Sequence, residues 1–318
     1  MSEPLRPLSI GELLDRTLSL YRRNFWLFVG VSSLGPVVGL IFSLVFAGSL
    51  RMNRSVVQSP GAAAGLLVTV GIGVVVMGFG YALAHAAAVK TVAAVYLDRS
   101  IRVLEAYRAV KKRFWRIIGV TLAVVIRVYG SMILAMLGVM LVVMVIAVGA
   151  MVVLRPVNPG VAGGIGVAVV IATLVAGVWV GAILFARYAL SIQACVVEDL
   201  SRKQSLKRSV FLAKGSRSRI LTVYAVFVVL GLAVGFGLQG LFRIVPKSLG
   251  PTFSLILNQL AALVAGMITA PLATIAMSLV YYDERVRKEA FDLQLMMEAL
   301  DSAPPSVPME PLPGTQPG

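Results

Sequence analysis

The chain has 318 residues, 58% hydrophobic and 14% charged, with a mean hydropathy of +0.91 and a formal charge of +15. Soluble domains carry roughly a quarter of their residues as charges, so this composition excludes a soluble globular protein. It leaves a multi-pass membrane chain that crosses as helices, because its long apolar runs lack the alternation of barrel strands. The single cysteine, Cys195, excludes an internal disulfide and a cysteine metal cluster. The positive charge sits in a few short segments, so it marks topology rather than a nucleic-acid surface.

The polar, acid-bearing start MSEPLRPLSIGELLDR does not read as a cleavable signal, so the first span is expected to start insertion itself. Residues 9–23 read as an interfacial helix. Ser9 with Glu12 fits a capping box, and Ile10, Leu13, Leu14, Leu18 and Tyr21 form an apolar stripe opposite Glu12, Asp15, Arg16, Ser19 and Arg22. Phe25 and Trp26 stand where an aromatic belt meets the first span, at about 25–50. After an external loop near 51–60, the second span begins at 62. Its apolar run continues to 97, longer than the roughly 30 Å hydrocarbon core needs at 1.5 Å per residue, so its last third projects into the headgroups.

A second unit opens at Asp98. VYLDRS leads into IRVLEAYRAVKKRFWRIIGV, where Val103, Leu104, Tyr107, Val110 and Phe114 line one side of a basic helix. RRNFWLFVG at 22–30 matches KKRFWRIIG at 111–119 position for position, which points to duplication. A span at 118–150, an external turn near 155–160 and a second over-long run from 161 to 197 follow. Glu198 and Asp199 open a third, diverged unit, in which SLKRSVFLAKGSRSRIL aligns with RVLEAYRAVKKRFWRII and sets Arg219 opposite Arg116. The last spans fall at 220–241 and 252–275, with Pro271 as an expected kink, and VYYD at 280–283 repeats VYLD at 95–98. On this reading Asp98, Asp199 and Asp283 occupy equivalent places at the ends of the even-numbered spans.

The expected architecture is all-α: a six-span membrane domain over 1–301, with units at about 9–98, 99–199 and 200–283. A cytoplasmic helix at 284–300 with a Glu284–Lys288 pair and a disordered proline-rich tail at 302–318 complete it. Most of the 29 Lys and Arg fall in 1–23, 99–116, 202–219 and 283–318. The positive-inside rule then places both termini and these segments in the cytoplasm of a cell-membrane protein.

LSIGELLDRTLSLYRRNF at the start, SLKRSVFLAKGSRSRIL in the third unit and VYYDERVRKEAFDLQ at the exit together resemble a known membrane domain. It is the one attached to some bacterial glycerophosphoryl diester phosphodiesterases and also found alone, and the likeness covers residues 9–293. The resemblance implies a six-helix integral membrane domain. One departure is Val210, where tryptophan often follows the Arg-Ser pair of that family. The phosphodiesterase activity of the family resembles that of a metal-dependent barrel, which takes a soluble domain of roughly 250 residues with more than one histidine. Here the longest stretch outside the spans is 283–318 and the only histidine is His85, so the reading is non-enzymatic, with no cofactor.

All 14 carboxylates fall on the expected cytoplasmic side, which weighs against a cation-coupled carrier. Arg127 is the one charge well inside a span. It either snorkels to headgroups or to the hydroxyls of Tyr129 and Ser131, or meets an anion or lipid phosphate in a crevice between units. Arg187 and Lys90 stand near the ends of their long helices. Arg108, Lys112, Lys207, Arg208 and Lys214 lie on the basic helices and, with Arg102, are expected to face anionic lipid while Leu104, Tyr107, Leu206 and Val210 bury. GIGVVVMGFG and GLAVGFGLQG read as close-packing faces. The leading function is a membrane scaffold or accessory domain touching anionic lipids and an unknown membrane or cytoplasmic protein partner, with no nucleic acid. The alternative is a lipid or small-anion transporter built on Arg127 and Arg187.

Overall fold

The computed structural model describes residues 7–52, 60–154, 159–243 and 250–289, and among these the chain is helical with no strand. The helices are α1 (Ile10–Arg23), α2 (Phe25–Ser32), α3 (Leu34–Met52), α4 (Pro60–Tyr96), α5 (Val103–Lys111) and α6 (Phe114–Leu154). They continue with α7 (Pro159–Tyr188), α8 (Ser191–Val197), α9 (Arg202–Ala213), α10 (Arg217–Arg243) and α11 (Pro251–Glu289). Five stretches, in α4, α6, α7 with α8, α10 and α11, are long and apolar enough to cross a membrane, and α2 with α3 makes a sixth if the bent pair is one span. At 37, 41 and 39 residues, α4, α6 and α11 extend to about 56, 62 and 58 Å, roughly twice a hydrocarbon core.

Two apolar runs are broken where the sequence reading had them continuous. α2 and α3 meet at 43° across Ser33. Pro36, just beyond, has no N–H for the Ser32 carbonyl, and its ring crowds that oxygen, which removes the hydrogen bond that would hold the run straight. The run from 161 to 197 is interrupted by a turn at Ala189 and Leu190. There the Ser209 hydroxyl of α9 donates to the Arg187 carbonyl at 3.0 Å and accepts from the Leu190 N–H at 3.2 Å, taking the place of helix bonds. Pro271 lies inside α11, whose helical run continues on both sides of it. The helix expected at 284–300 has no start of its own, since residues 284–289 are the last turns of α11. Residues 290–300, like the tail at 302–318, lie outside the described residues.

Packing is uneven along the spans. The most extensive contacts join α3 with α4, α6 with α7, and α10 with α11, as hairpin partners. Gly73 lies so close to the Phe42 ring, and Gly177 to Met136, that a Cβ at either position would overlap its neighbour. In the second glycine-rich stretch a Cβ at Gly231 would only come into ordinary contact with Thr269, while Gly235, Gly237 and Gly240 meet nothing. The buried core sits at one end of the bundle. It contains most of α4 from Ala82 to Ala93 and of α11 from Leu272 to Val286, together with α8 and the inner faces of α1, α2, α5 and α9. Toward the other end, large apolar side chains point outward on α3, α4, α6, α7 and α10, as lipid-facing surfaces do.

The leading helix has its capping box, with the Ser9 N–H donating to Glu12 at 2.7 Å and the Glu12 N–H to Ser9 Oγ at 3.2 Å. Its buried face differs from the expected stripe. Leu13, Thr17 and Tyr21 are buried, whereas Ile10 and Leu18 are exposed. Thr17 can be buried because its hydroxyl donates to the Leu13 carbonyl, and Tyr21 reaches the Ile268 carbonyl of α11 at 2.8 Å. The helix therefore docks on the bundle.

Candidate functional site

The turn after α4 and the turn after α8 are built alike. Asp98 and Asp199 have φ of 53° and 56°, the left-handed region in which aspartate is among the few tolerated non-glycine residues. After α4 the Arg99 N–H donates to the Ala94 carbonyl at 2.9 Å and the Asp98 N–H to the Val95 carbonyl at 3.1 Å, a Schellman closure. Asp199 accepts from Arg113 at 2.7 Å and from Arg116, and Arg116 also donates to its carbonyl. Asp283 does not share this place: it is helical and buried inside α11. Its carboxylate accepts the Leu8 N–H at 2.6 Å and the side chains of Arg219 and Arg287, and both arginines also donate to the Leu8 carbonyl. These contacts hold it in the helix, with no turn needed.

The correspondence of Arg116 with Arg219, legible in the alignment, recurs in space. Arg116 binds the aspartate that follows its hairpin and Arg219 the one inside the second helix of its hairpin, and Ser216, aligned with Arg113, donates to Glu284 at 2.7 Å. Asp98 is exposed, and the position aligned with Arg116 in the first unit is Leu27, which has no charge to offer. Phe28, Ile117 and Ile220 are equivalent by the same alignments and all buried, as are Val31, Val120 and Val223. The Phe25–Trp26 and Phe114–Trp115 pairs are edge-on with the same centroid separation of 5.1 Å.

Arg208 is not available to lipid. It clasps Glu289 through two nitrogens and Glu198 through Nε at 3.0 Å, while Tyr281 also donates to Glu198. Burial works against the Arg208 charge, but the hydrogen bonds it donates to Glu289 and Glu198, with their negative charge, prevail and hold the guanidinium more firmly protonated than usual. Lys288 pairs with Glu284 at 3.3 Å, as the spacing predicts, and donates to the last carbonyls of α9, including Lys214 at 2.7 Å. The side chains of Lys207 and Lys214 are exposed on α9.

Lys90, Arg108 and Lys112 converge. With Arg113 they line one cavity of about 480 Å³, closed by Ala109, Val110 and Ile117 and by Val196 of α8. Among the described residues none of Lys90, Arg108 and Lys112 has a carboxylate or carbonyl partner. A second cavity of about 830 Å³ shares Arg108, Lys112 and Arg113 and adds Lys111 and Arg116 with Leu104, Tyr107, Phe114 and Trp115. Leu104 is thus not buried as expected; it is 59% exposed and forms part of this outer wall. Tyr107 is half-buried and its hydroxyl reaches the Val31 carbonyl. α5 buries Ala106 and Val110 instead, because small side chains allow its close approach.

Arg127 and Arg187 also meet, at 5.7 and 5.9 Å from the centre of the Tyr188 ring. Arg127 is exposed and donates to its own Ala123 carbonyl at 3.2 Å. Ser131, a partner expected from the sequence, instead donates to carbonyls of its own helix. Arg187 is half-buried, and its Nε has no acceptor among the described residues. His85 lies between α4 and α11 with Nδ1 at 3.0 Å from Thr274 Oγ1. That hydroxyl already donates to Ala270, so the imidazole is the donor in this pair. Compared with known proteins, the chain matches no family model, no curated protein and no solved structure.

Proposed function

We propose that the chain is a non-enzymatic membrane accessory or scaffold domain of the glycerophosphodiester phosphodiesterase membrane-domain type. In this reading it is made of three repeated units, and its basic end meets the anionic cytoplasmic leaflet. The observation that carries the lipid reading is the group of unpaired cations Lys90, Arg108 and Lys112, set beside exposed apolar and aromatic side chains. An anionic leaflet attracts such charges by about 1 kcal/mol each. The non-catalytic reading is supported by how the acids are spent: Glu198, Asp283, Glu284 and Glu289 all pair with bundle arginines or lysines. The repeat is supported by the matching burial and ion pairs of aligned positions.

Protein purified from bilayers of mixed lipid tests the surface reading. Anionic lipid should co-purify, fall with added salt, and fall again in a variant with Arg108, Lys112, Lys207 and Lys214 changed to glutamate. Undiminished retention in that variant reduces these residues to orientation signals. Transport of a lipid or small anion past Arg127 and Arg187 is the second reading, favoured by the buried Arg187 Nε, which has no acceptor among the described residues.

A further inference from the structure

We infer that the cleft between α4, α5, α6 and α8 is a discrete site for one phospholipid whose headgroup carries two negative charges. This deepens the lipid-surface reading and rests on it. The headgroup would occupy the inner cavity, where Lys90 reaches Arg108, Lys112 and Arg113 across a space of about 480 Å³. Lys90 is central because it is the half-buried position in the otherwise buried run Ala86–Val92 of α4, where a cation is only partly hydrated. It lines the cavity and meets no acid among the described residues. Arg113 is partly committed to Asp199, which leaves three cations of this cavity without a carboxylate among the described residues. One negative charge would neutralise a single member of that group, so a headgroup with two is the better complement. The adjoining cavity shares three of these basic residues, adds Lys111 and Arg116, and sets them beside Leu104, Tyr107, Phe114 and the 77% exposed Trp115. Basic residues set directly beside exposed aromatic and aliphatic side chains match a lipid, which offers both a headgroup and a chain, better than a soluble phosphate ester.

Trp115 reports occupancy directly. In a chain with Trp26→Phe and Trp179→Phe, bilayers of phosphatidylcholine receive a few mole per cent of phosphatidate or phosphatidylglycerol with brominated acyl chains. Brominated phosphatidate should quench Trp115 at least fivefold more strongly than brominated phosphatidylglycerol at equal mole fraction. That preference should vanish in Lys90→Met and persist in Lys90→Arg. The exposed pair Arg108→Gln with Lys112→Gln should abolish it as well, without disturbing buried packing. Equal quenching by the two lipids, or selectivity unchanged in Lys90→Met and in the double variant, overturns the site. Loss of quenching on adding millimolar glycerol phosphate also overturns it, because the ligand would then be the soluble ester. Lys207→Glu with Lys214→Glu, outside the cleft, tests the surface reading alone: total anionic-lipid retention answers that question, and Trp115 selectivity answers this one.

Discussion

At the scale of single residues, the two kinds of aspartate should respond differently to substitution. Asp283 joins Leu8, Arg219 and Arg287, and its side chain is fully buried. Asp283→Asn leaves Arg219 without its closest counter-charge, and losing one partner of a buried pair costs about 3–5 kcal/mol. Thermal unfolding in detergent should move down by several degrees, while Asp98→Asn, at an exposed position, should leave it unchanged. Asp98 instead answers to backbone shape. Asp98→Gly should be neutral or slightly stabilising, and Asp98→Val should cost about 1–2 kcal/mol, because a β-branched residue resists positive φ. The same melts check both. The alignment set Arg116 beside Arg219, and both residues do bind an aspartate. It did not reveal that Asp283 remains helical, because that depends on Leu8, 275 residues away in sequence.

At the scale of elements, helices α1, α5 and α9, the Phe-Trp starts and the long spans were all legible, since amphipathic spacing and apolar length are local properties. The breaks were not. Ser209 reads as one more polar residue of a basic helix, yet it terminates α7 by bonding both Arg187 and Leu190. Ser209→Ala should therefore cost about 1–3 kcal/mol by leaving two backbone groups unsatisfied, and Ser209→Thr should recover most of it. Hydrogen exchange at Leu190 provides the local measure, rising in the alanine variant. Pro36 carried a readable signal, the missing N–H, but the apolar run around it masked the boundary. The cavity cations were nominated singly by their chemistry. Their convergence needed α5 to fold back on α4, which no local pattern encodes.

At the scale of the molecule, the long helices reconcile membrane length with a buried core. Arg127 stands 13 residues into α6, beside Tyr188 where α7 stops. The first turns of α6 therefore pack beyond the end of α7, against α8 and α9, and Arg127 comes level with a helix end rather than a helix middle. This removes most of the cost of a charge in lipid. With Cys195 replaced by alanine, cysteines at Lys112 and Lys207 should be labelled by an impermeant maleimide only after the membrane is opened. Labelling of either in intact cells would reverse the orientation.

The link between Leu8 and the α11 residues Asp283 and Arg287 also fixes an order in time. A chain leaving the ribosome can insert its first hairpins early, but Leu8 has no carboxylate to meet, and Arg219 no counter-charge, until the final helix has been made. The first helix cannot make these bonds until α11 has been made. Nascent chains halted before Asp283 should be integrated into the membrane yet still be cut by protease at α1, and protection should arrive in one step when α11 is complete.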